Sequence, residues 1–288
     1  MYDEETLLNL LKTHFGWHNF RHKQVEAIKA VLNGENVFIR SATGSGKSLT
    51  WQLPALARAH IAGLKKLTVV VYPTKSLLLD QQAKLHGIDL NLVCCHGDQA
   101  FKATQKALDR LELTSNDMPD ILLTIPEYLD SVYSPLCTIL HRLQQKDKLG
   151  LIVIDEAQQV LQWGVNFRQT YLDFANVISE RFPRIPRLAL SAAITDNNIR
   201  ETVKVLGMEN HILICETLDH PNIYYEKDTM TLTIALLQAG IRAACYNAGL
   251  ETRLRENAAA KWSNGEVDVL VATPAFLFGI AVTTQIVE

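Results

Sequence analysis

The chain of 288 residues is short of several things, and each shortage removes a class of function. No stretch approaches the roughly 18 uninterrupted apolar residues of a membrane-spanning helix, so no membrane partner is expected. The first residues carry Asp3, Glu4 and Glu5, the wrong sign for the basic start of a secretory signal, so a location in nucleus or cytoplasm is expected. Only five cysteines are present (Cys94, Cys95, Cys137, Cys215 and Cys245), with no CxxC pair among them. That suits free thiols in a reducing compartment and argues against structural zinc. The adjacent Cys94 and Cys95 read as ordinary strand residues. The nine histidines, His86 and His96 included, show no ligand spacing and read as surface or core residues. Charge of one sign is also lacking. The balance of 28 Lys and Arg against 31 Asp and Glu leaves −3, which advertises no nucleic acid, although a local basic channel would vanish in the sum. The remainder is ordinary: 48% hydrophobic and 20% charged residues exclude a disordered or collagen-like chain.

Short apolar runs alternate with helical patterns. Val37–Arg40, Leu67–Tyr72, Leu90–Cys95, Asp120–Ile125, Leu151–Ile154 and Arg187–Leu190 read as strands, near-continuously apolar as parallel strands buried on both faces must be. Helices are expected over Glu5–Phe15, His22–Leu32, Ser48–Ile61, Lys75–His86, Phe101–Leu113, Leu136–Gln145 and Phe167–Arg181. Such alternation predicts an open α/β sheet with ligands at the carboxyl ends of its strands. After a linker at Glu216–Pro221, a shorter segment offers a helix near Thr229–Ala239, a strand at Ile241–Tyr246, a helix at Thr252–Ser263 and a strand at Val267–Thr273. The expected division is 1–217 and 218–288, the second part a thin one.

Strand Val37–Arg40 runs into Ser41-Ala42-Thr43-Gly44-Ser45-Gly46-Lys47-Ser48, ahead of a helix. This is the context of a phosphate-binding loop, with Ser41 where the simple pattern has its first glycine. Gly44 and Gly46 let backbone N–H groups curl around phosphate oxygens. Lys47 reaches the β- and γ-phosphates, the Ser48 hydroxyl can ligate Mg²⁺, and the helix points its N-terminus at the anion. The bland alternative is a Gly/Ser-rich turn before a helix. A second apolar strand, Leu151–Ile154, ends in Asp155-Glu156-Ala157-Gln158. Beside a phosphate loop, Asp155 is placed to hold the metal and Glu156 to position the attacking water. Without that loop, two acids could equally cap a helix. Downstream, Ser191-Ala192-Ala193 ends another strand and says almost nothing by itself.

Taken in order, these motifs resemble a superfamily-two helicase core, more specifically the RecQ family. Phe15-Gly16, Phe20-Arg21 and Gln24, then Glu26-Ala27-Ile28, resemble the family's nucleotide-edge motif, which implies that Arg21 and Gln24 recognise adenine. Ser48-Leu49 leading to Gln52-Leu53-Pro54-Ala55 is similar to the family's continuation of the phosphate loop, so Thr43, Gly44, Ser45, Gly46, Lys47 and Ser48 are implied to hold the nucleotide. Gln162-Trp163-Gly164, then Phe167-Arg168, resembles the aromatic-rich loop that couples single-stranded DNA to hydrolysis. Tyr72-Pro73-Thr74-Lys75-Ser76-Leu77 with Asp80-Gln81, and Ile125-Pro126-Glu127, resemble strand-tip motifs that touch the DNA backbone. The resemblance spans about residues 5–225. It implies a RecA-like phosphate-loop NTPase domain with a parallel sheet, followed by a partial second RecA-like domain. It also implies ATP and Mg²⁺ as cofactors, single-stranded or forked DNA as partner, and 3′–5′ DNA unwinding. The implied catalytic set is Lys47, Asp155, Glu156 and Gln158, with Ser48 and Asp155 on the metal. The implied DNA contacts are Ser76, Trp163, Phe167 and Arg168. Base stacking on exposed aromatics is worth about 1–3 kcal/mol per base in any sequence. Trp163 and Phe167, four apart, also fit a buried helix stripe.

The pattern is not followed everywhere. Gln158 stands where the family usually has His, and still hydrogen-bonds. The aromatic loop's usual His is missing near Val165, and His220-Pro221-Asn222-Ile223 lacks the family's Arg. Later motifs are matched by Ala248-Gly249-Leu250 with Arg253, and by Val271-Ala272-Thr273 with Ala275-Phe276 and Gly279-Ile280, but Ala281 occupies an Asp position. The sequence stops at Glu288, before the family's arginine-rich motif, so slow hydrolysis and impaired unwinding are expected. Two further readings stay open: a non-unwinding nucleotide- and DNA-binding module, and a DEAD-box RNA helicase. The second is disfavoured by the Trp163–Arg168 loop and by the absence of a DEAD tetrapeptide.

Overall fold

A computed structural model describes residues 3–60, 65–96, 101–113, 117–162, 165–192, 194–216, 229–247 and 249–272, with the backbone alone for 101, 162 and 165–169. The chain divides into two compact units, Met1–Leu218 and Asp219–Glu288.

The first unit carries seven strands: β1 (Val37–Arg40), β2 (Leu67–Val71), β3 (Leu92–Cys95), β4 (Ile121–Thr124), β5 (Leu149–Ile154), β6 (Arg187–Ser191) and β7 (Ile212–Cys215). They form one sheet in the order β3-β4-β2-β5-β6-β1-β7, every pairing parallel. Helices α1 (Glu4–Phe15), α2 (Gln24–Leu32), α3 (Leu49–His60), α4 (Lys75–Lys84), α5 (Phe101–Leu111), α6 (Pro135–Gln145), α7 (Gln159–Gln162), α8 (Val165–Arg181) and α9 (Asp196–Val205) connect them. Side chains alternate across a strand, and the core divides accordingly. Phe38, Val69, Val71, Ile152, Ile154 and Ala189 face a cluster with Leu140, Phe174 and Ile178, whereas Val37, Ile39, Val70, Val153 and Leu188 face one with Ala27, Trp51 and Leu78. Both faces are covered, which is why the strands read as unbroken apolar runs.

Several boundaries shift for local reasons. The helix expected from His22 begins at Gln24, because residues 21–24 form a turn in which His22 takes φ 45° and Gln24 N–H donates to Arg21 O at 3.0 Å. Strand β7 and helix α9 are absent from the sequence reading. β7 is a four-residue edge strand with one fully buried residue, too short for periodicity to separate from a loop. The expected linker loses its first residue: Glu216 N–H donates to Arg40 O at 2.9 Å and extends the β7–β1 ladder. Residues 217–221 lie outside the described residues. Cys94 and Cys95 are strand residues of β3, their thiols pushed up to about 11 and about 12 by burial.

One buried charge is met by backbone carbonyls inside the sheet's packing through its two terminal nitrogens. Arg187, at the start of β6 and 2% exposed, donates to Gly207 O, to Ile178 O at 2.9 Å and to Phe182 O at 3.2 Å. Its guanidinium thus meets carbonyls at the carboxyl ends of α8 and α9, where cations are favoured.

The second unit, by itself, is a parallel βαβ arrangement. After α10 (Thr229–Gln238), β8 (Ala243–Tyr246) and β9 (Val269–Ala272) pair through α11 (Thr252–Ser263). Ala258, Ala259 and Val271 are buried there, and Arg242 grips Asp268 at 2.5 and 3.0 Å. Residues 273–288, which include Thr273, Ala275, Phe276, Gly279, Ile280 and Ala281, lie outside the described residues.

Candidate functional site

The carboxyl ends of β1, β6 and β5 sit side by side, and the loops leaving them build the site. The loop after β1 needs glycine: Gly44 and Gly46 take φ 80° and 87°, which side chains rarely tolerate. A Cβ on Gly46 would lie 2.5 Å from Gln24 Nε2 and would push that amide from its place. Gln24 is itself buried and ties the loop to the start of α2. Its Nε2 donates to Gly46 O at 3.0 Å and its Oε1 accepts from Arg21 N–H at 2.8 Å. Each amide atom keeps one further bonding capacity. Arg21 is brought to the loop by its backbone, and its side chain is exposed.

Lys47 folds back over the loop, donating from Nζ to Ser41 O at 2.7 Å and Ala42 O at 2.8 Å. Its ammonium pKa is lowered by burial, with Asp155, Glu156 and Glu216 pulling the other way. Ser45 Oγ is buried with no hydrogen-bond partner among the described residues, while Thr43 and Gly44 are exposed. Ser48 lies just ahead of α3, whose first turn begins with Leu49 N–H donating to Gly46 O at 3.1 Å. A glycine cradle, an orphaned hydroxyl, an ammonium and a helix N-terminus together fit a phosphate-type anion.

On β5 the chain turns sharply after Ile154. Asp155 N–H donates to Val71 O at 3.0 Å, and Asp155 Oδ1 accepts from Glu156 N–H at 2.9 Å. Glu156 takes φ 50°, an uncommon backbone state for a residue with a side chain. Burial first, then the neighbouring Glu156 charge, pushes the Asp155 carboxyl up to about 7. A hard cation would reverse that by favouring the ionised form. Gln158 is buried and joins two motifs. Its Nε2 donates to Glu156 Oε2, and its Oε1 accepts from Ser191 Oγ at 2.7 Å. Ala157 N–H completes the seam by donating to Leu190 O at 2.8 Å.

The residues expected to meet DNA are placed less fully. Ser76 opens α4, just beyond the carboxyl end of β2. It is exposed, with Oγ 3.1 Å from the Oγ of Thr74, the residue that caps this helix. Pro126-Glu127 form part of a 3-10 turn after β4, at the same edge. Trp163 lies outside the described residues. Phe167 and Arg168 belong to the first turns of α8, which starts two residues earlier than expected, and only their backbone is described.

Two residues escape the sequence reading or are underweighted by it. Glu216, at the end of β7, accepts from Ser41 Oγ and from Lys23 N–H at 3.2 Å. A small cavity beside the loop is lined by Lys23, Gln24, Ser45, Lys47 and Glu216. The signal was present, since Ile212–Cys215 followed by an acid repeats the pattern that singled out Asp155. Ser191 was set aside as uninformative, yet it anchors Gln158.

Comparisons with known proteins agree with this geometry. A family model described as DEAD/DEAH box helicase matches residues 21–202. The RecQ-like DNA helicase blm-1 of Caenorhabditis elegans is 30% identical over 308 aligned positions, covering 95% of this chain and 30% of that protein. The ATP-dependent DNA helicase RecQ of Haemophilus influenzae is 30% identical over 310 positions, covering 96% and 47%. The chain therefore spans less than half the length of either relative. Among solved structures, the DUF1998 helicase MrfA bound to DNA and AMPPNP superposes with a TM-score of 0.66 at 20% identity, covering 97% of this chain and 45% of that one. That last likeness is one of fold.

Proposed function

Since the chain belongs to the DEAD/DEAH box helicase family, with RecQ-type relatives, we propose that it is the ATP-driven core of a DNA helicase. Residues 1–217 are the ATP-binding RecA-like domain, and 218–288 are part of a second. The observation that carries this reading is the meeting of two strand tips: β1 and β5 both flank β6, so the loop bearing Lys47 and the turn bearing Asp155 and Glu156 leave the sheet at the same end. Phosphoryl transfer asks for that pairing of a phosphate cradle with a carboxylate pair.

In the proposed mechanism the backbone N–H groups of residues 43–48 receive the β- and γ-phosphates. Lys47 leaves the carbonyls of Ser41 and Ala42 for the anion. Mg²⁺, held by Ser48 and the ionised Asp155, would supply charge neutralisation. Glu156 holds the attacking water, steadied by Gln158 and through it by Ser191. Arg21 and Gln24 take the adenine edge with the bonding capacity the loop leaves them. DNA passes the carboxyl end of β2, where Ser76 meets its backbone; Trp163, Phe167 and Arg168 supply stacking and charge, as the RecQ resemblance implies. The RecQ resemblance supports single-stranded or forked DNA and 3′–5′ movement.

A steady-state ATPase assay of the purified chain, with and without single-stranded DNA, tests the proposal. Hydrolysis that rises with DNA, and loses that rise in Trp163→Ala at unchanged melting temperature, supports it. ATP binding without any turnover points to the second reading, a non-unwinding binding module. That reading is favoured by Lys47 being engaged with its own loop and by the Glu216 carboxylate at the loop's base.

A further inference from the structure

The strongest unassigned cluster lies at the far end of α3 from the phosphate loop, about 16 Å along the helix. His14 in the last turn of α1, His60 at the end of α3 and Asp89 between α4 and β3 bring one ligand atom each to within 4.8 Å of one another. His60 Nε2 is 3.3 Å from Asp89 Oδ2, and the two imidazole centroids are 4.7 Å apart with planes tilted by 52°. Spacing in sequence hides this set, because its members are 46 and 29 residues apart. The expectation against structural zinc was drawn from cysteine, and these donors are nitrogen and oxygen.

The backbones that present the three groups are fixed to one apolar cluster. Leu7 and Leu11 of α1 pack there with Leu49, Leu53, Leu56 and Ala57 of α3, and Ile88 and Leu90 on either side of Asp89 pack against it. Gly16 closes α1 in the left-handed conformation and holds the turn that carries His14, its N–H donating to Lys12 O. A tetrahedral ion with metal–donor distances near 2.0–2.1 Å needs donor atoms roughly 3.3 Å apart. The His60–Asp89 pair already meets that spacing. The remaining approach falls to His14, a partly exposed side chain that can move without disturbing the core. Two imidazoles and one carboxylate suit a borderline divalent ion and leave a position for water.

We propose that His14, His60 and Asp89 form a binding site for a divalent transition-metal ion, Zn²⁺ in particular, which staples α1 to α3 and to the strand approach at Asp89. The site is separate from the nucleotide chemistry and does not depend on it. Zn²⁺ titrated by calorimetry into the nucleotide-free chain should bind with one equivalent at this site. A hundredfold excess over its Kd should raise the melting temperature by roughly 5–10 °C. His60→Gln and Asp89→Asn should each weaken binding at least about tenfold and shrink that rise. Should His60→Gln fail to fold, His14→Gln reads the same quantity from the end of α1. Absence of saturable Zn²⁺ binding overturns the proposal. So does binding whose affinity and thermal shift are the same in these variants as in the parent, which would place the ion elsewhere.

Discussion

Ser191→Ala is the most incisive perturbation of the site, because its hydroxyl supplies the side-chain link from β6 to Gln158 in the acidic turn. Ser191 is 1% exposed and Gln158 4%, and the hydrogen bond between them is 2.7 Å long. Removing the hydroxyl takes the donor from a buried amide oxygen, at a cost of about 1–3 kcal/mol. In a unit of this size each kcal/mol moves the midpoint by about 2–4 °C, so the melting temperature should fall by roughly 2–12 °C. Function should suffer separately. Gln158 Nε2 holds Glu156 Oε2, and a loosened amide lets that carboxylate swing from its position. A loss of about 1.4 kcal/mol of positioning would lower kcat about tenfold while leaving KM for ATP unchanged. The pair is best measured as a cycle of Ser191→Ala, Gln158→Met and the double variant, by thermal unfolding and by ATPase rate. Partners in direct contact should show a coupling of about 0.5–3 kcal/mol, the double variant recovering part of the loss. A melting temperature within a degree of the parent, or single losses that simply add, would refute the relay.

Four other outcomes follow from the geometry. Lys47→Ala should abolish Mg·ATP binding in calorimetry with the fold intact by circular dichroism, and unchanged affinity in a folded variant would sink the phosphate-loop assignment. Asp155, raised by burial to about 7 in the folded chain, binds its proton more tightly there than when unfolded. Its contribution to stability is therefore greatest below pH 4 and is lost as pH rises to about 7. Asp155→Asn should gain melting temperature over the parent progressively across that window, and a constant difference from pH 4 to 8 would contradict the shift. Mg²⁺-dependent nucleotide binding by the parent should weaken below pH 7, since the metal needs the ionised carboxylate. Arg187→Met strands Gly207 O, while Ile178 O and Phe182 O keep backbone N–H donors, and should cost about 1–3 kcal/mol in urea unfolding. The ratio of ATP affinity to that of the parent should stay near one, and a loss under about 1 kcal/mol would show Gly207 O satisfied otherwise.

How much of this was legible in the sequence depends on how local each signal is. β1 and its loop were readable because a strand, two glycines and a lysine fall within twelve consecutive residues, each with its own backbone or charge requirement. The acidic turn was readable for the same reason, and both strand–loop pairings sit where the sequence placed them. Gln24 was named, but for the base it could read. Its bond to Arg21 is a local one three residues apart, whereas its bond to Gly46 comes from a tertiary approach of α2 to the loop that no spacing encodes. β7 failed because four apolar residues at a sheet edge make no pattern of their own. They become a strand by pairing with β1, a partner more than 170 residues earlier.

Glu216 shows what that omission conceals. Once β7 pairs with β1, the residue after it must emerge beside the residue after Arg40, and Ser41 Oγ then donates to the Glu216 carboxylate. Ser41, the departure from the simple glycine pattern, is buried at 1% exposure and has a use: its hydroxyl anchors the loop's base to the last strand of the unit. The same carboxylate acts on Lys47, so a third negative charge joins Asp155 and Glu156 around one ammonium. An incoming polyphosphate meets that charge before Lys47 is released to it. Glu216→Gln keeps an acceptor for Ser41 and removes the charge, and like-charge repulsion near a protein surface is worth of order 1 kcal/mol. Mg·ATP should therefore bind about three- to fivefold more tightly to Glu216→Gln, measured by calorimetry at low salt, with the gain shrinking as salt is added. Weaker binding in that variant would mean that the carboxylate shapes the loop more than it opposes the phosphates.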